Sequence, residues 1–323
     1  MNKKVSVTIP CFNQVALFET EIKYLKQQTF KDFTIVAFDN NSTQDYRKVI
    51  AKFPEEDIIY TRNDTNIGMM RNLFKSIFYK SDSLYNISLH EDDNLHPQYL
   101  EKAVEILDKH KDVAFVVTVA EWFKDNKELE EKFARRKELS RSVILNKTDF
   151  VRSIINGEHV MFGSVVYRNS TLDQNFDVEN YLKKYDIFAD RPFLVSLIKS
   201  DSKAAIIKDP GMFVCDHTEN DKRAEITTSE HCFNMMNFYK ENLPNPMIKD
   251  DYSKFITFST NNLLNTYTSI SIKNTNFYKF IKTGKKLGLI NLRYINKIGI
   301  VGILKVIFGK KNISKLVKII KNK

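Results

Sequence analysis

His90-Glu91-Asp92-Asp93-Asn94 sets three consecutive carboxylates behind an imidazole. They follow an apolar run, Tyr85-Asn86-Ile87-Ser88-Leu89, which predicts a buried strand ending where the acids begin. Carboxylates packed this closely repel one another unless a cation or protons intervene. Hard oxygen ligands suit Mg²⁺ or Mn²⁺, ions that commonly keep coordination positions open for phosphate oxygens. The competing reading is an exposed acidic turn that caps a helix starting near Pro97.

The elements that would position this cluster alternate. Strand-like runs at residues 5–9, 33–38, 58–60, 85–89 and 113–119 are separated by stretches of helical spacing at 17–25, 46–53, 69–78 and 100–107. Such alternation predicts an α/β fold with a mostly parallel, Rossmann-like sheet flanked by helices. Ligands of these sheets bind beyond the carboxyl ends of the strands. Asn13, Asp39 and the acidic cluster would therefore meet along one edge. Further on, residues 160–167 form another apolar run, and residues 204–207 and 212–214 read as short strands around an Asp209-Pro210-Gly211 turn.

Bulk properties narrow the class. A chain of 323 residues with 42% hydrophobic and 28% charged content can bury a large core. Cys11, Cys215 and Cys232 are too few for a disulfide framework and suggest a reducing compartment. No run reaches the roughly 18 apolar residues that span a bilayer, and the opening run is too short for a signal peptide core. The net charge of +10 is segregated: 15 of the 50 Lys and Arg, and none of the 40 Asp and Glu, lie after Asp251, which leaves −5 on the preceding 251 residues. An isolated basic end suggests an anionic partner surface.

Four motifs between residues 5 and 93 carry a resemblance. Val5-Ser6-Val7-Thr8-Ile9-Pro10-Cys11-Phe12-Asn13 resembles the opening strand and loop of the family 2 glycosyltransferases, which have the GT-A fold. Asp39-Asn40-Asn41-Ser42-Thr43-Gln44-Asp45 is similar to their second nucleotide-binding loop, and Asn66-Ile67-Gly68 with Arg71-Asn72 to the loop after it. Glu91-Asp92-Asp93 stands where their metal-binding acids belong, with Glu91 replacing the more usual Asp. The resemblance implies nucleotide contacts at Pro10, Asn13, Asp39, Asn66, Gly68, Arg71, Glu91 and Asp92, with Asp39 against the base. It implies a direct metal bond from Asp93. His90 reads as a packed histidine.

In inverting members of the family one carboxylate deprotonates the acceptor at the start of a helix. The segment from Tyr185 to Leu194 resembles that region and makes Asp190 the expected base, with Asp186 behind it; an N-cap is the competing role for Asp190. Met161-Phe162-Gly163-Ser164 resembles the acceptor-side stretch upstream. His217, after a short strand, matches a position from which related enzymes approach the metal. The resemblance covers residues 4–221 and fades over 121–156.

The expected organisation is a GT-A catalytic domain over residues 1–250 and a basic helical region over 251–323. Ile313, Leu316, Val317 and Ile320 share one helical face, with Lys310, Lys311, Lys315, Lys318 and Lys321 largely around the rest. That pattern suits an anionic membrane interface, at the cytoplasmic inner face of the cell membrane, or packing on protein. Nucleic acid is not expected, because no reader motif accompanies the lysines; a homo-oligomer stays open. The expected activity is inverting, Mn²⁺- or Mg²⁺-dependent transfer of a hexosyl or N-acetylhexosaminyl group. The donor is a nucleotide sugar, UDP-linked before dTDP-linked. The acceptor is a glycan or lipid-linked saccharide in bacterial surface polysaccharide synthesis. Three other classes compete: a two-carboxylate glycoside hydrolase, a nucleotidyltransferase on a similar fold, and a non-catalytic membrane-associated subunit.

Overall fold

The computed structural model describes residues 3–54, 58–136, 138–158, 160–215, 228–269 and 276–308. His217 and the lysines from Lys310 onward lie outside the described residues. In chain order the elements are β1 (Val5–Cys11), α1 (Val15–Leu25), β2 (Phe33–Asp39), α2 (Arg47–Ile50), β3 (Ile58–Arg62), α3 (Met69–Ile77), β4 (Tyr85–Ser88) and β5 (Asp93–Leu95). They continue with α4 (Tyr99–Lys109), β6 (Val113–Phe123), α5 (Asn126–Arg135), β7 (Ser142–Leu145), α6 (Lys147–Ile155), β8 (Val166–Arg168), α7 (Val178–Tyr185) and α8 (Asp190–Leu197). Last come β9 (Lys203–Cys215), α9 (Ser229–Glu241), α10 (Lys249–Ser269), α11 (Phe277–Lys286) and α12 (Lys297–Phe308).

Two compact units divide the chain. The first holds Met1–Lys147, His159–Glu179 and Leu194–Glu219, and contains the whole sheet. Its strands run in the order β3-β2-β1-β4-β8-β6-β9-β5, with β7 also on β9. β1, β2, β3, β4, β6 and β9 share one direction; β5, β7 and β8 run against them. The sheet is thus mostly parallel, as the alternation of apolar runs predicts. Its central strands are buried on both faces; in β1 this covers Ser6 and Thr8 as well as Val5, Val7 and Ile9, which the alternating run Val5–Ile9 does not imply. Val5, Val7, Ile9, Ile35, Ile87, Val116 and Ala205 form the core beneath α1 and α4. Pro10 is tolerated in central β1 because the ladder to β4 stops at Thr8.

The turn expected at Asp209-Pro210-Gly211 is not a turn. β9 runs unbroken through it and pairs with β6 on one side and with β7, then β5, on the other. The pull of Pro and Gly toward a turn is absorbed by a register shift opposite Thr118. Thr118 Oγ1 donates to the carbonyl of Asp209 at 2.8 Å and accepts from the N–H of Gly211 at 2.9 Å. Asp209 itself accepts from the N–H groups of Ser140 and Arg141 and from Arg141 Nε. The apolar run at 160–167 also differs from expectation: it breaks into a 3-10 turn at Phe162–Ser164 and the short strand β8.

The second unit holds Thr148–Glu158, Asn180–Phe193 and Asn220–Lys323. Within it Arg152 clamps Asp251 through two hydrogen bonds of 3.1 and 2.8 Å, tying α6 to α10. Phe233 and Phe280 stack with centroids 4.9 Å apart, joining α9 to α11. Gly302 lets α12 come down on the backbone of α10 at Leu264. Among the described residues no helix is long and apolar enough to cross a membrane.

Candidate active site

The carboxyl ends of β1, β2, β3 and β4 carry polar loops that are hydrogen-bonded to one another. Asn13 and Asn41 hold left-handed backbones, φ 57° and 62°, a conformation asparagine accepts more readily than most residues. The N–H of Asn13 donates to Ser42 Oγ, and its side-chain oxygen accepts from the N–H of Thr43 at 2.8 Å. The first loop thereby fixes the second. Asn40 and Asn66 bond side chain to side chain at 2.9 Å, and Asn66 Oδ1 also takes the N–H of Gly68. Gly68 has φ 91°, which a β-carbon would strain, so glycine is needed where α3 starts.

Asp39 ends β2 directly opposite Arg62 of β3, and residues so paired project to the same face. Its carboxylate has no exposed surface and receives Ser42 N–H at 2.8 Å, the Tyr60 hydroxyl at 2.6 Å and Arg62 Nη1 at 2.7 Å. Burial alone would raise its pKa; the bonds from Ser42 and Tyr60 and the charge of Arg62 outweigh it and hold the carboxyl below its ordinary value. The group turned outward is Arg62, 41% exposed. Arg62 lines a cavity of about 260 Å³ together with Ser42, Thr43, Gln44, Asp45 and Arg47.

The acidic segment separates into two roles. Glu91 is buried and spends both oxygens within the fold: Oε1 accepts from the N–H of Phe12 at 2.8 Å and Oε2 from the Tyr46 hydroxyl at 2.7 Å. Burial pushes its pKa up to about 7, against the lowering effect of those two bonds. His90, Asp92 and Asp93 instead bring one ligand atom each within 4.8 Å of one another. Asp93 opens β5 and is buried, which raises its pKa; the ring of His90, 3.4 Å from its carboxylate, works in the other direction. A packed histidine was expected at 90, but the ring is 37% exposed and faces Asp93. Two carboxylates and an imidazole suit Mn²⁺ or Mg²⁺, and the raised pKa of Asp93 is what a cation would relieve. Glu21 of α1 lies fully buried beneath them with neither oxygen hydrogen-bonded. Burial, followed by the charges of Glu91, Asp93 and Asp92, raises its pKa well above the ordinary carboxylate range.

The remaining expected residues lie apart from these bonds. Arg71 is held by Glu179 through two bonds of 2.6 and 2.7 Å at the surface. Pro10 lies in β1 one residue before the buried Cys11. Asp190 opens α8 in the second unit, where its charge reaches Tyr181, Arg191 and Tyr239. Asp186 has a left-handed backbone, φ 49°, with His231 3.8 Å away. Tyr46, Tyr60, Arg62 and Glu21 were not expected from sequence. Only the period-2 pairing of Tyr60 with Arg62 along one strand face offered a signal for any of them.

A mostly parallel sheet of this order, with its acidic segment folded back as β5 against β9, defines the GT-A class of glycosyltransferase. The chain belongs to Glycosyl transferase family 2, whose sequence profile matches residues 6–177. Among curated proteins it is 39% identical over 54 residues to the GalNAc(5)-diNAcBac-PP-undecaprenol beta-1,3-glucosyltransferase of Campylobacter jejuni. That match spans 17% of this chain and 18% of the relative. S. aureus TarS 1–349 in complex with UDP-GlcNAc superposes with a TM-score of 0.59 at 13% identity, over 96% of this chain and 89% of that one. The same protein with UDP gives 0.56 at 14% identity, over 87% and 78%. At these identities the likeness establishes the fold.

Proposed function

We propose that the protein is an inverting, metal-dependent glycosyltransferase that moves a hexosyl or N-acetylhexosaminyl group from a nucleoside-diphosphate donor, UDP before dTDP, to a hydroxyl of a glycan or lipid-linked acceptor. The observation that carries this reading is the convergence of His90, Asp92 and Asp93 at the strand ends of a GT-A sheet. These three would hold Mn²⁺ or Mg²⁺, with Asp93 the most committed ligand and His217 a further candidate. When bound, the cation supplies Lewis-acid neutralisation of charge on the leaving diphosphate. Asp39 and its exposed partner Arg62 mark the base side, next to the Ser42–Arg47 cavity. Asn13, Asn66 and Gly68 shape the loops that carry the nucleotide, and Glu91 locks the acidic segment to the first loop. Asp190, at the first turn of its helix, takes the proton of the acceptor hydroxyl as it attacks the anomeric carbon. A thermal-shift series with UDP and dTDP, each with and without Mn²⁺, tests the reading. Stabilisation by nucleotide only with the metal is expected. A nucleotide that stabilises equally without metal refutes the metal-dependent scheme.

A lipid-linked acceptor is supported by the undecaprenol in the name of the Campylobacter relative. It would place the enzyme at the inner face of the cell membrane, in bacterial surface polysaccharide synthesis. In the second unit Lys285 and Arg293 border a cavity of about 430 Å³ with Tyr252 and Leu292 on its rim. Neither cation has an ion-pair partner among the described residues, and no acid follows Asp251 in the chain. Lysine and arginine beside exposed apolar side chains suit an anionic membrane interface. Sedimentation with phosphatidylglycerol vesicles but not with phosphatidylcholine vesicles is expected; equal behaviour toward both removes the membrane assignment.

A further inference from the structure

The chain has one tryptophan, Trp122, and it is 61% exposed on the penultimate residue of β6. An exposed Trp in a regular strand is unusual, because its large apolar surface gains most from burial. Its position is more telling than its exposure. β6 pairs with β9 at Trp122↔Val214, and β9 pairs with β5 at Val214↔Asp93. Trp122, Val214 and Asp93 therefore occupy one rung, and side chains of one rung project to the same face. Two strand spacings place the Trp122 backbone roughly 10 Å from that of Asp93. The alternate residues Phe123, Phe213 and Cys215 point to the other face, where they pack with Tyr24, Leu129 and Phe133. Alternation thus directs Phe123 into a core and the indole into open space on the face of the Asp93 carboxylate.

We propose that Trp122 is the stacking platform of a saccharide subsite beside the acidic cluster. The inference rests on the reading of that cluster as a metal–diphosphate site. A pyranose presents a sheet of C–H groups on one face, and an indole offers the flat, electron-rich surface that such a face covers. A sugar joined to a diphosphate at Asp93 would lie within reach of an indole two strands away, as would the saccharide that accepts it. Among the described residues nothing in the fold needs the ring: the alternation and backbone pairing of β6 are met by any β-forming side chain.

Because Trp122 is the only indole, its fluorescence reads the subsite directly in the intact protein. The probes are UDP, UDP-glucose, UDP-galactose and UDP-GlcNAc with Mn²⁺, and the corresponding free saccharides. A spectral change with UDP-sugars beyond that with UDP assigns the stacked ring to the donor. A change with free saccharide alone assigns it to the acceptor. Either outcome supports the proposal. Trp122→Ala should raise the KM for the stacked sugar roughly tenfold, as for other aromatic stacking platforms, with little effect on UDP affinity. Trp122→Phe should recover most of that loss. Nucleotide stabilisation with a silent indole, together with an unchanged KM in Trp122→Ala, overturns the proposal. If no nucleotide stabilises the protein, the metal–diphosphate reading fails instead. Quenching by saccharide then supports the platform, and its absence overturns it.

Discussion

Tyr46 donates its hydroxyl to Glu91 at 2.7 Å and accepts the N–H of Gln14 at 3.0 Å, so one phenol joins the loop after β1, the start of α2 and the acidic segment. All three meet in the interior, where Tyr46 has no exposed surface. Tyr46→Phe keeps the ring and its edge contact with Phe18, centroids 5.1 Å apart, but strands Glu91 Oε2 without a donor. A buried carboxylate that loses a partner costs about 1–3 kcal/mol. The loss should appear as a lower denaturation midpoint at unchanged m-value. It should also move Glu91 further above its value of about 7, because the Tyr46 bond lowers it. A stability change under about 0.5 kcal/mol would show that the bond is not made in solution.

The buried acids impose a pH dependence with a definite sign. Glu91 and Glu21 titrate above their unfolded values in the native state. Their protonated forms therefore stabilise the fold fully below the unfolded glutamate pKa of about 4.3. That contribution is lost as pH rises, for Glu91 through about 7. Asp39 is depressed, so its contribution is present above the unfolded value and disappears as pH falls through the folded one. In metal-free protein the melting temperature should decline from about pH 5 toward about pH 8. Glu21→Gln, which removes a buried titratable group without hydrogen-bond partners, should flatten that decline and raise stability at the alkaline end. An unchanged slope in the variant would mean that Glu21 is solvated.

Arg62 is the exposed half of a pair whose other half is fully covered. A nucleotide entering the adjoining cavity therefore meets the guanidinium before the carboxylate. Arg62→Ala should weaken UDP binding about tenfold, the effect of losing one charge-assisted contact. It should also cost stability, about 1–3 kcal/mol, since the covered Asp39 carboxylate loses one of its donors and keeps Ser42 and Tyr60. Calorimetric titration decides the matter. Tighter UDP binding in the variant would show that Arg62 only shields Asp39.

The strands that could be read from sequence were the ones rich in apolar and β-branched residues. β1, β2 and β4 are buried on both faces although Ser6, Thr8, Thr34, Asn86 and Ser88 stand among their apolar residues, so composition shows the strands but not the burial of those polar side chains. β5 could not be read that way. Asp93-Asn94-Leu95 has no strand-like composition and is a strand only because β9 supplies its partner. The same limit applied to the site. The left-handed backbone of Gly68 was legible from its residue type, whereas that of Asn13 was not. The bonds from Tyr46 to Glu91 and from Arg62 to Asp39 depend on which strands become neighbours. So does the division of the acidic segment, in which Glu91 turns inward to Phe12 while His90 joins Asp92 and Asp93.

Asp190 allows two roles, and one substitution separates them. It is the first residue of α8 and precedes Arg191-Pro192, so a helix-start function is physically reasonable. Asparagine serves that function about as well as aspartate, but it cannot take a proton from a hydroxyl. Asp190→Asn should therefore leave the melting temperature and the Mn²⁺–UDP stabilisation unchanged while kcat falls by about 10²–10⁴-fold. Asp186→Asn, on the preceding 3-10 turn beside His231, should retain most of the turnover. Full activity in Asp190→Asn together with loss in Asp186→Asn would transfer the base to Asp186. Measuring transfer and nucleotide stabilisation on the same protein samples separates a lost base from a lost helix.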